Sequence, residues 1–341
     1  MTVELGIIEG FYGKPWSWAE RTEAVRFLAP HGYRFFHYAP KNDAFLRERW
    51  REPHPDRELA ALATLGATCR KHGVRLGAGL SPYELYRDFD AAARETLATK
   101  LDSLDATGIE DLAILFDDMR GDLPGLARLQ AEIVEFIASR TRASRLIVCP
   151  TYYTDDPGLD HFYGQRPPGY LRELGTLLDK AIALQWTGPR VCSREFPPGH
   201  LERVAEEMGR KPFLWDNYPV NDGPRMARFL HLRAFTGRPA ANGAHIQAHG
   251  VNPACQPVLS LVPAVTLSLS YAQGPAYDDR AAFRIAAQAV LGEALAAAVE
   301  RDLPAFQDQG LDRLGAQHAV LRARYAGFDK IFLVKCCSRH Y

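Results

Sequence analysis

Short apolar runs alternate with longer stretches of mixed polarity from residue 3 to residue 248. Each run has a length typical of a strand that is buried on both faces, as in a parallel sheet. The pattern therefore predicts eight buried strands. They are Val3–Ile8, Phe35–Tyr38, Val74–Ala78, Leu112–Phe116, Leu146–Cys149, Ala183–Trp186, Phe213–Trp215 and Ala244–Ala248.

The stretches between these runs have the period of amphipathic helices. The segment SWAERTEAVRFLAPHG begins with Ser17, a residue type favoured at helix N-caps, and ends at a glycine. The segment RELAALATLGATCRKHG carries basic residues in its last turn. In PGLARLQAEIVEFIASR one helical face carries Leu126, Leu129, Ile133 and Phe136.

Strands that alternate with helices form right-handed βαβ units, and eight such units can close into a barrel. We therefore predict an α/β fold, a (β/α)8 TIM barrel over residues 1–270, close to the usual size of about 250 residues. The Ala-rich segment YDDRAAFRIAAQAVLGEALAAAVE predicts a short C-terminal helical appendage over residues 275–341. A doubly wound open sheet is the alternative, but no GxGxxG loop follows the first strand.

Composition and charge narrow the range of partners. The 341 residues are 47% hydrophobic and 24% charged, and 41 basic residues balance 41 acidic ones. Because no basic stripe appears, we expect no nucleic-acid partner. The apolar stretches are too short to span a membrane, and the N-terminus MTVELGIIEG does not resemble a signal peptide. We therefore expect no membrane association and a cytoplasmic location; the sequence does not bear on oligomeric state.

The six cysteines show no disulfide framework and no CxxC spacing, which favours reduced thiols. Cys149 and Cys192 lie at the ends of apolar runs, where we expect small buried side chains. The others are Cys69, Cys255, Cys336 and Cys337.

Polar and aromatic residues follow the predicted strands at the same end of the barrel. In a TIM barrel this end carries the active site, whereas the opposite rim contributes to stability. The convergence therefore indicates a site. These rim residues are Glu9, Gly10, Lys41, Ser81, Asp117, Asp118, Thr151, Tyr153, Trp186, Thr187, Asp216, Asn217, His249 and Asn252.

The pair Asp117 and Asp118 follows the fourth predicted strand directly. Two carboxyls at one barrel mouth are expected to have pKa values driven apart, so that one stays anionic and the other keeps its proton nearer neutrality. A carboxyl that keeps its proton can act as a general acid. The alternative is a structural role, with Asp117 capping the next helix and Asp118 solvated.

A metal site is the competing chemistry, because paired aspartates can bind Mg²⁺ or Mn²⁺. His245 and His249 are four residues apart, but on a predicted strand and without an HExxH motif, so we expect His245 to be a packed or hydrogen-bonded barrel residue. Lys41 places a positive charge on the same rim, where a metal cation would have to bind. We therefore expect no metal and no other cofactor.

The aromatic segments FYGKPW and LWDNY have two interpretations. They can belong to the core, since tryptophan and tyrosine bury large areas. However, Trp215 directly precedes Asp216 and Asn217, and aromatic faces beside hydroxyl-binding groups suit a sugar. Phe11, Phe35 and Phe36 are expected to pack in the core.

Seven motifs in order resemble glycoside hydrolase family 84, which contains the protein O-GlcNAcases and bacterial β-N-acetylglucosaminidases, some described as hyaluronidases. The motifs are GIIEGFYGKPWSWAER, YAPKND, LFDDM, CPTYY, WTGPRVCSRE, WDNYPVND and GVNP. They span residues 5 to about 256, essentially the whole predicted barrel. Asn42, Tyr152 and Gln256 stand where the family often has acidic residues.

The resemblance implies a retaining exo-enzyme that hydrolyses terminal β-linked N-acetylglucosamine on a glycan or glycoprotein. Such enzymes use the substrate's own 2-acetamido oxygen as nucleophile and pass through an oxazoline, an exception to two-carboxylate hydrolysis. By this resemblance Asp117 orients the acetamido N–H, and Asp118 is the general acid and base.

The resemblance also implies a set of substrate-binding residues. Gly10 and Lys41 would meet ring hydroxyls, Tyr153 would steady the acetamido oxygen, and Asn217 would bind near the cleaved linkage. The acetamide methyl would lie against Cys149 and Trp215, and the 4- and 6-hydroxyls would bind Asp222 and Asn252. For Cys149 simple packing, and for Gly10 a tight turn, remain alternatives.

Three other functions remain open on the sequence alone. The barrel could be a non-catalytic glycan-binding relative, a hexosaminidase with a different sugar or aglycone preference, or a metal-dependent hydrolase. A relative that had lost its catalytic activity would have no need to keep a destabilising pair of charged carboxyls. The presence of the pair therefore favours an active enzyme over a glycan-binding protein.

Overall fold

The computed structural model describes residues 3–328 as eight parallel strands in a closed barrel, with helices around it. Each strand pairs with the next in the chain, and the first pairs with the last. This topology confirms the predicted barrel and rules out the alternative, a doubly wound open sheet. The strands are β1 (Glu4–Glu9), β2 (Tyr33–Tyr38), β3 (Arg75–Leu80), β4 (Asp111–Leu115), β5 (Arg145–Cys149), β6 (Ala183–Trp186), β7 (Phe213–Asp216) and β8 (Ala248–Val251).

Twelve α-helices occur in the described residues. They are α1 (Trp18–Leu28), α2 (Asp56–Lys71), α3 (Ala91–Asp105), α4 (Leu126–Ala138), α5 (Gly158–Tyr163), α6 (Tyr170–Leu177), α7 (Pro198–Met208), α8 (Gly223–Met226), α9 (Pro257–Gln273), α10 (Asp279–Leu291), α11 (Glu293–Leu303) and α12 (Gln317–Tyr325). A π-helix spans Pro304–Gln309. No described helix has the length and apolar character that crossing a membrane requires.

Helix α1 forms where its sequence signal predicts it. Ser17 caps the helix, and Glu20 completes a reciprocal capping box with the backbone of Ser17. A short 3-10 turn follows the helix and ends before Gly32. The φ of Gly32 is 87°, a left-handed value that favours glycine. The apolar face of α1 packs into the core through Val25 and Leu28.

The eighth strand lies later in the chain than the apolar pattern predicts. Ala240–Ala244 is a 3-10 helix, and the strand begins only at Ala248, so the predicted run Ala244–Ala248 is wrong. The actual strand, AHGV, contains His249 and Gly250, neither of which carries an apolar side-chain signal. A Cβ at Gly250 would lie 2.4 Å from Ile8 Cδ1, which explains why this strand needs a glycine.

The chain beyond β8 is helical through α12. Helix α9 packs against α10 and α1, and Tyr33 of β2 donates a hydrogen bond of 2.8 Å to the carbonyl of Ala264 in α9. The division into a barrel over 1–270 and a helical segment over 275–341 stays a prediction. Cys336 and Cys337 lie outside the described residues.

Candidate active site

A cavity of about 600 Å³ opens at the carboxyl ends of the strands. This is the rim where a TIM barrel places its chemistry. The ten residues predicted for catalysis or substrate binding all line this cavity: Gly10, Lys41, Asp117, Asp118, Cys149, Tyr153, Trp215, Asn217, Asp222 and Asn252. Their individual roles stay predictions; the structure brings them together.

Asp117 is a buried anion at the floor of the cavity. It follows β4 and is 5% exposed, and one of its carboxylate oxygens, Oδ2, accepts a hydrogen bond from the ammonium of Lys41. The other oxygen, Oδ1, is buried and has no hydrogen-bond partner among the described residues. An unsatisfied buried acceptor is costly, so Oδ1 is suited to receive an N–H donor from a ligand.

The backbone of Asp118 adopts a left-handed conformation with φ of 55°. This region is uncommon for residues other than glycine, although aspartate tolerates it better than most. Arg47, 6% exposed, donates a hydrogen bond of 3.1 Å from Nη2 to the Asp118 carbonyl. A backbone held in this region is strained, and such strain is common at functional sites.

Three tyrosine hydroxyls donate hydrogen bonds to the carboxylate of Asp118. Tyr12 reaches Oδ2 at 2.8 Å, while Tyr163 and Tyr153 reach Oδ1 at 2.9 and 3.1 Å. Each of these donors stabilises the charged form of the carboxyl. The structural alternative, with Asp117 as a helix cap and Asp118 solvated, does not describe this geometry; α4 has Gly125 at its N-cap.

The expectation that Asp118 keeps its proton nearer neutrality is wrong for this structure. Burial alone would raise the pKa of the Asp118 carboxyl. The charge of Lys41, the hydroxyls of Tyr12 and Tyr163, and the charge of Arg47 outweigh burial and hold the pKa of Asp118 below its usual value. Asp118 is therefore a carboxylate as the structure stands, and the tyrosines missed by the sequence pattern contribute to this state.

The far wall of the cavity carries a carboxyl group and two side-chain amides. Asp222 accepts a hydrogen bond of 2.7 Å at Oδ2 from the backbone N–H of Tyr12, and burial raises the pKa of its carboxyl. The side-chain amides of Asn252 and Asn217 contact each other at 2.9 Å. Asn217 is fixed further by donating from Nδ2 to the carbonyl of Val191 at 2.7 Å. These groups present carboxylate and amide atoms in the fixed orientation that sugar hydroxyls require.

Trp215 forms an apolar wall that fits closely against Gly10. A Cβ on Gly10 would lie 2.2 Å from Trp215 Cζ2, so only glycine permits the indole in this position. The backbone N–H of Gly10 also donates to the Ile8 carbonyl at 2.8 Å, which closes a tight turn after β1, so the tight-turn alternative stays open beside the contact with Trp215. The ammonium of Lys41 lies 5.5 Å from the indole ring centre. Cys149 is 1% exposed, and burial raises the pKa of its thiol, so it is an uncharged wall residue.

Several rim residues of the sequence pattern do not reach the cavity. Asp216 faces away from the cavity and accepts hydrogen bonds from Arg238 and from His249. Glu9 is held by Arg21 at 2.7 Å. Strand alternation explains these differences, because every second side chain faces away from the site. The remaining rim residues that do not line it are Ser81, Thr151, Trp186 and His249.

The two histidines considered as metal ligands are not neighbours on one strand. His245 caps a 3-10 helix outside β8 and lies 3.5 Å from Glu202, so the expectation of a barrel residue is wrong. His249 is fully buried between Asp216 and Tyr271. Within residues 3–328 no group of three or more His, Cys, Asp or Glu side chains is arranged to hold a metal ion.

Several residues that line the cavity were not predicted as site residues, among them Tyr12, Tyr163, Phe162 and Cys192. Tyr12 belongs to the aromatic segment FYGKPW, in which Phe11 and Trp16 are buried as core. Tyr163 and the 75% exposed Phe162 come from α5, which gave no sequence signal. Cys192 is exposed and lines the cavity, so its expected burial is wrong.

Comparisons with known proteins agree with this site. A family model described as beta-N-acetylglucosaminidase matches residues 5–307. The proteins named Protein O-GlcNAcase of Rattus norvegicus and of Mus musculus are each 30% identical over 275 residues. That match covers 78% of this chain but only 30% of each relative's length.

A solved structure has the same architecture. A mutant O-GlcNAc hydrolase of Thermobaculum terrenum superimposes with a TM-score of 0.79 at 30% identity. The similarity covers 96% of this chain and 78% of that one. It therefore includes the barrel and most of the helices that follow β8.

Proposed function

The chain belongs to the β-N-acetylglucosaminidases of glycoside hydrolase family 84, and from that membership we propose that it is a retaining exo-β-N-acetylglucosaminidase. Its substrate is a glycan or glycoprotein that carries terminal β-linked N-acetylglucosamine. The observation that carries the proposal is the adjacent pair of carboxylates in one cavity, each in a different environment.

The first step uses the substrate's own acetamido group. The acetamido carbonyl oxygen attacks C1, and the glycosidic C–O bond breaks as Asp118 delivers a proton to the leaving oxygen. Asp117 accepts a hydrogen bond from the acetamido N–H at Oδ1, the buried oxygen without a protein partner. Its charge stabilises the positive charge that builds up on the forming oxazoline. Attack within one bound molecule removes much of the entropic barrier.

The second step opens the oxazoline with water. Asp118, now a carboxylate, takes a proton from the water as the water oxygen bonds to C1. The C1–O bond of the oxazoline breaks, and the acetamido group is restored. Because C1 is inverted twice, the product is the β-anomer.

In this mechanism Asp118 has to take up a proton when the substrate binds. Asp118 is charged as the structure stands, and a bound sugar excludes water and brings the leaving oxygen against it. Both changes favour the protonated carboxyl, because loss of water penalises the charged form and the leaving oxygen can accept a hydrogen bond only from the protonated one. The walls that orient the sugar are Trp215 and Cys149 on the apolar side and Asp222, Asn217 and Asn252 on the polar side.

The decisive experiment measures hydrolysis of aryl β-glycosides of N-acetylglucosamine and N-acetylgalactosamine by the full chain. We expect turnover of the first, release of the β-anomer in an NMR time course, and tight inhibition by a thiazoline that mimics the oxazoline. Release of the α-anomer, or no inhibition by the thiazoline, would remove the substrate-assisted mechanism. Binding of the sugar without turnover would instead support the glycan-binding alternative, and loss of activity with a chelator would support metal chemistry.

A further inference from the structure

Tyr12 connects two parts of the site that act on opposite ends of the sugar. Its backbone N–H donates to Asp222 Oδ2 at 2.7 Å, and its hydroxyl donates to Asp118 Oδ2 at 2.8 Å. Asp222 is proposed to bind the hydroxyls at the closed end of the cavity, whereas Asp118 acts at the cleaved bond. One residue, carried by the loop between β1 and α1, thus contacts both carboxylates.

Tyr163 holds the other oxygen of the same carboxylate. It is the last residue of α5, and its hydroxyl donates to Asp118 Oδ1 at 2.9 Å. Tyr12 and Tyr163 therefore approach Asp118 from loops that follow different strands, β1 and β5. Together they fix the direction in which the carboxylate can present an oxygen to a ligand.

We propose that Tyr12 and Tyr163 are positioning residues for the general acid, which they hold in one orientation and stabilise as it gives up its proton. This inference rests on the proposed function of the same site. As the proton moves from Asp118 to the leaving oxygen, negative charge grows on the carboxylate. Hydroxyl donors already in place become stronger partners of that charge, because hydrogen bonds to ionised groups are stronger than neutral ones.

Other charged and titratable groups also face Asp118. The cations are Lys41, on the loop after β2, and Arg47, whose guanidinium contacts the Asp118 carbonyl. Asp117 is the adjacent residue in the chain, and the hydroxyl of Tyr153 follows β5. Asp222 is close enough for the charge of Asp118 to contribute to its raised pKa. Conversion of one tyrosine to phenylalanine leaves all of these groups in place.

The test compares Tyr12→Phe and Tyr163→Phe with the wild type on a substrate with a poor leaving group. Loss of one hydroxyl donor raises the pKa of Asp118, so the alkaline limb of kcat/KM should move upward by about 0.4 to 1 pH unit. Turnover of an activated aryl glycoside, which needs little acid assistance, should change by less than about twofold. Tyr277→Phe is the matched control, since its hydroxyl donates to the Phe235 carbonyl at 2.9 Å away from the cavity.

Two kinetic results would overturn the inference. The first is a set of pH profiles for both variants that superimpose on the wild type. The second is an equal loss on both substrates without a shift of the limb, which indicates a merely structural role.

A ¹³C NMR titration of the Asp118 carboxyl in the wild type and both variants gives a second readout that needs no activity. An upward shift of this titration supports the inference, and an unchanged titration contradicts it. Absence of wild-type turnover would overturn the proposed function, whereas the titration still decides whether the tyrosines control Asp118.

Discussion

Lys41 and Asp117 form a buried ion pair that uses only one oxygen of the carboxylate. The ammonium of Lys41 donates to Asp117 Oδ2, while Oδ1 is buried without a partner among the described residues. Both side chains are nearly excluded from solvent, with 3% and 7% of their area exposed. The pair leaves Oδ1 available, and we propose that the substrate's amide N–H donates to it.

Asp117→Asn should lower turnover of activated and poor-leaving-group substrates alike. The variant loses the charge that stabilises the oxazoline, which forms whatever the leaving group is. We expect kcat to fall by about 10²-fold or more on both substrates, as for other losses of preorganised electrostatic stabilisation. Asp122→Asn is the control, because that carboxylate is partly exposed and paired with Arg120. Near wild-type rates in Asp117→Asn would contradict the orienting role.

Asp118→Asn should discriminate between leaving groups. A poor leaving group needs a proton, and loss of a general acid typically costs about 10²- to 10⁴-fold. An activated aryl glycoside should lose much less in the step that forms the oxazoline. Single-turnover release of the aryl group measures that step directly. Equal losses for both kinds of substrate would exclude Asp118 as the acid.

Gly10→Ala should damage the sugar pocket through Trp215. The new Cβ would lie 2.2 Å from Trp215 Cζ2, so the indole has to move. We expect kcat/KM to fall by about tenfold or more, and the free energy of unfolding by about 1–3 kcal/mol, the usual cost of overpacking. Gly199→Ala should have no such effect on kcat/KM, because a Cβ there has no neighbour within 4 Å. Unchanged kcat/KM in Gly10→Ala would show that the indole position is not required.

Arg238→Met should destabilise the barrel by about 3–5 kcal/mol, because it leaves the buried Asp216 carboxylate without its main counter-charge. Burial opposes the charge of Asp216, but Arg238 and His249 outweigh it and keep the pKa of this carboxyl below its usual value. The stabilisation is therefore present above the ordinary pKa of aspartate and is lost as the pH falls through the lower folded value.

Urea unfolding near neutral pH measures the effect of Arg238→Met. Arg233→Met removes an exposed pair with Asp308 and should cost about 1 kcal/mol or less. Comparable losses in the two variants would contradict the structural role assigned to Arg238. The difference in the free energy of unfolding between Arg238→Met and the wild type should become smaller at acidic pH.

The barrel was predictable because seven of its strands are marked by apolar runs of their own. The eighth was misplaced, since its identity depends on contacts that a local pattern does not record. Gly250 is required by the proximity of Ile8, and His249 is satisfied by Asp216 and Tyr271. The misplaced run also gave His245 a position in the barrel that it does not have.

The ten predicted site residues converge on one cavity, but their hydrogen bonds were not predictable. The proton state expected for Asp118 depends on Tyr12 and Tyr163, which approach it from 106 and 45 residues away in the sequence. The tertiary arrangement of the loops at the barrel rim decides which aromatic side chains contact the Asp118 carboxylate. The same uncertainty applies to Asp216, whose rim position gave no indication that its side chain faces Arg238 and His249 and not the cavity.

The segment after α11 is hydrogen-bonded to the part of the chain that follows the Asp222 loop. The π-helix at Pro304–Gln309 receives the backbone N–H of Leu230 at the Phe306 carbonyl, and Gln307 Oε1 accepts from the backbone of Leu232 and Arg233. This stretch follows the loop that carries Asp222. A version of the chain cut after α9 would keep all ten residues predicted for the site yet lose these hydrogen bonds to the segment that follows Asp222.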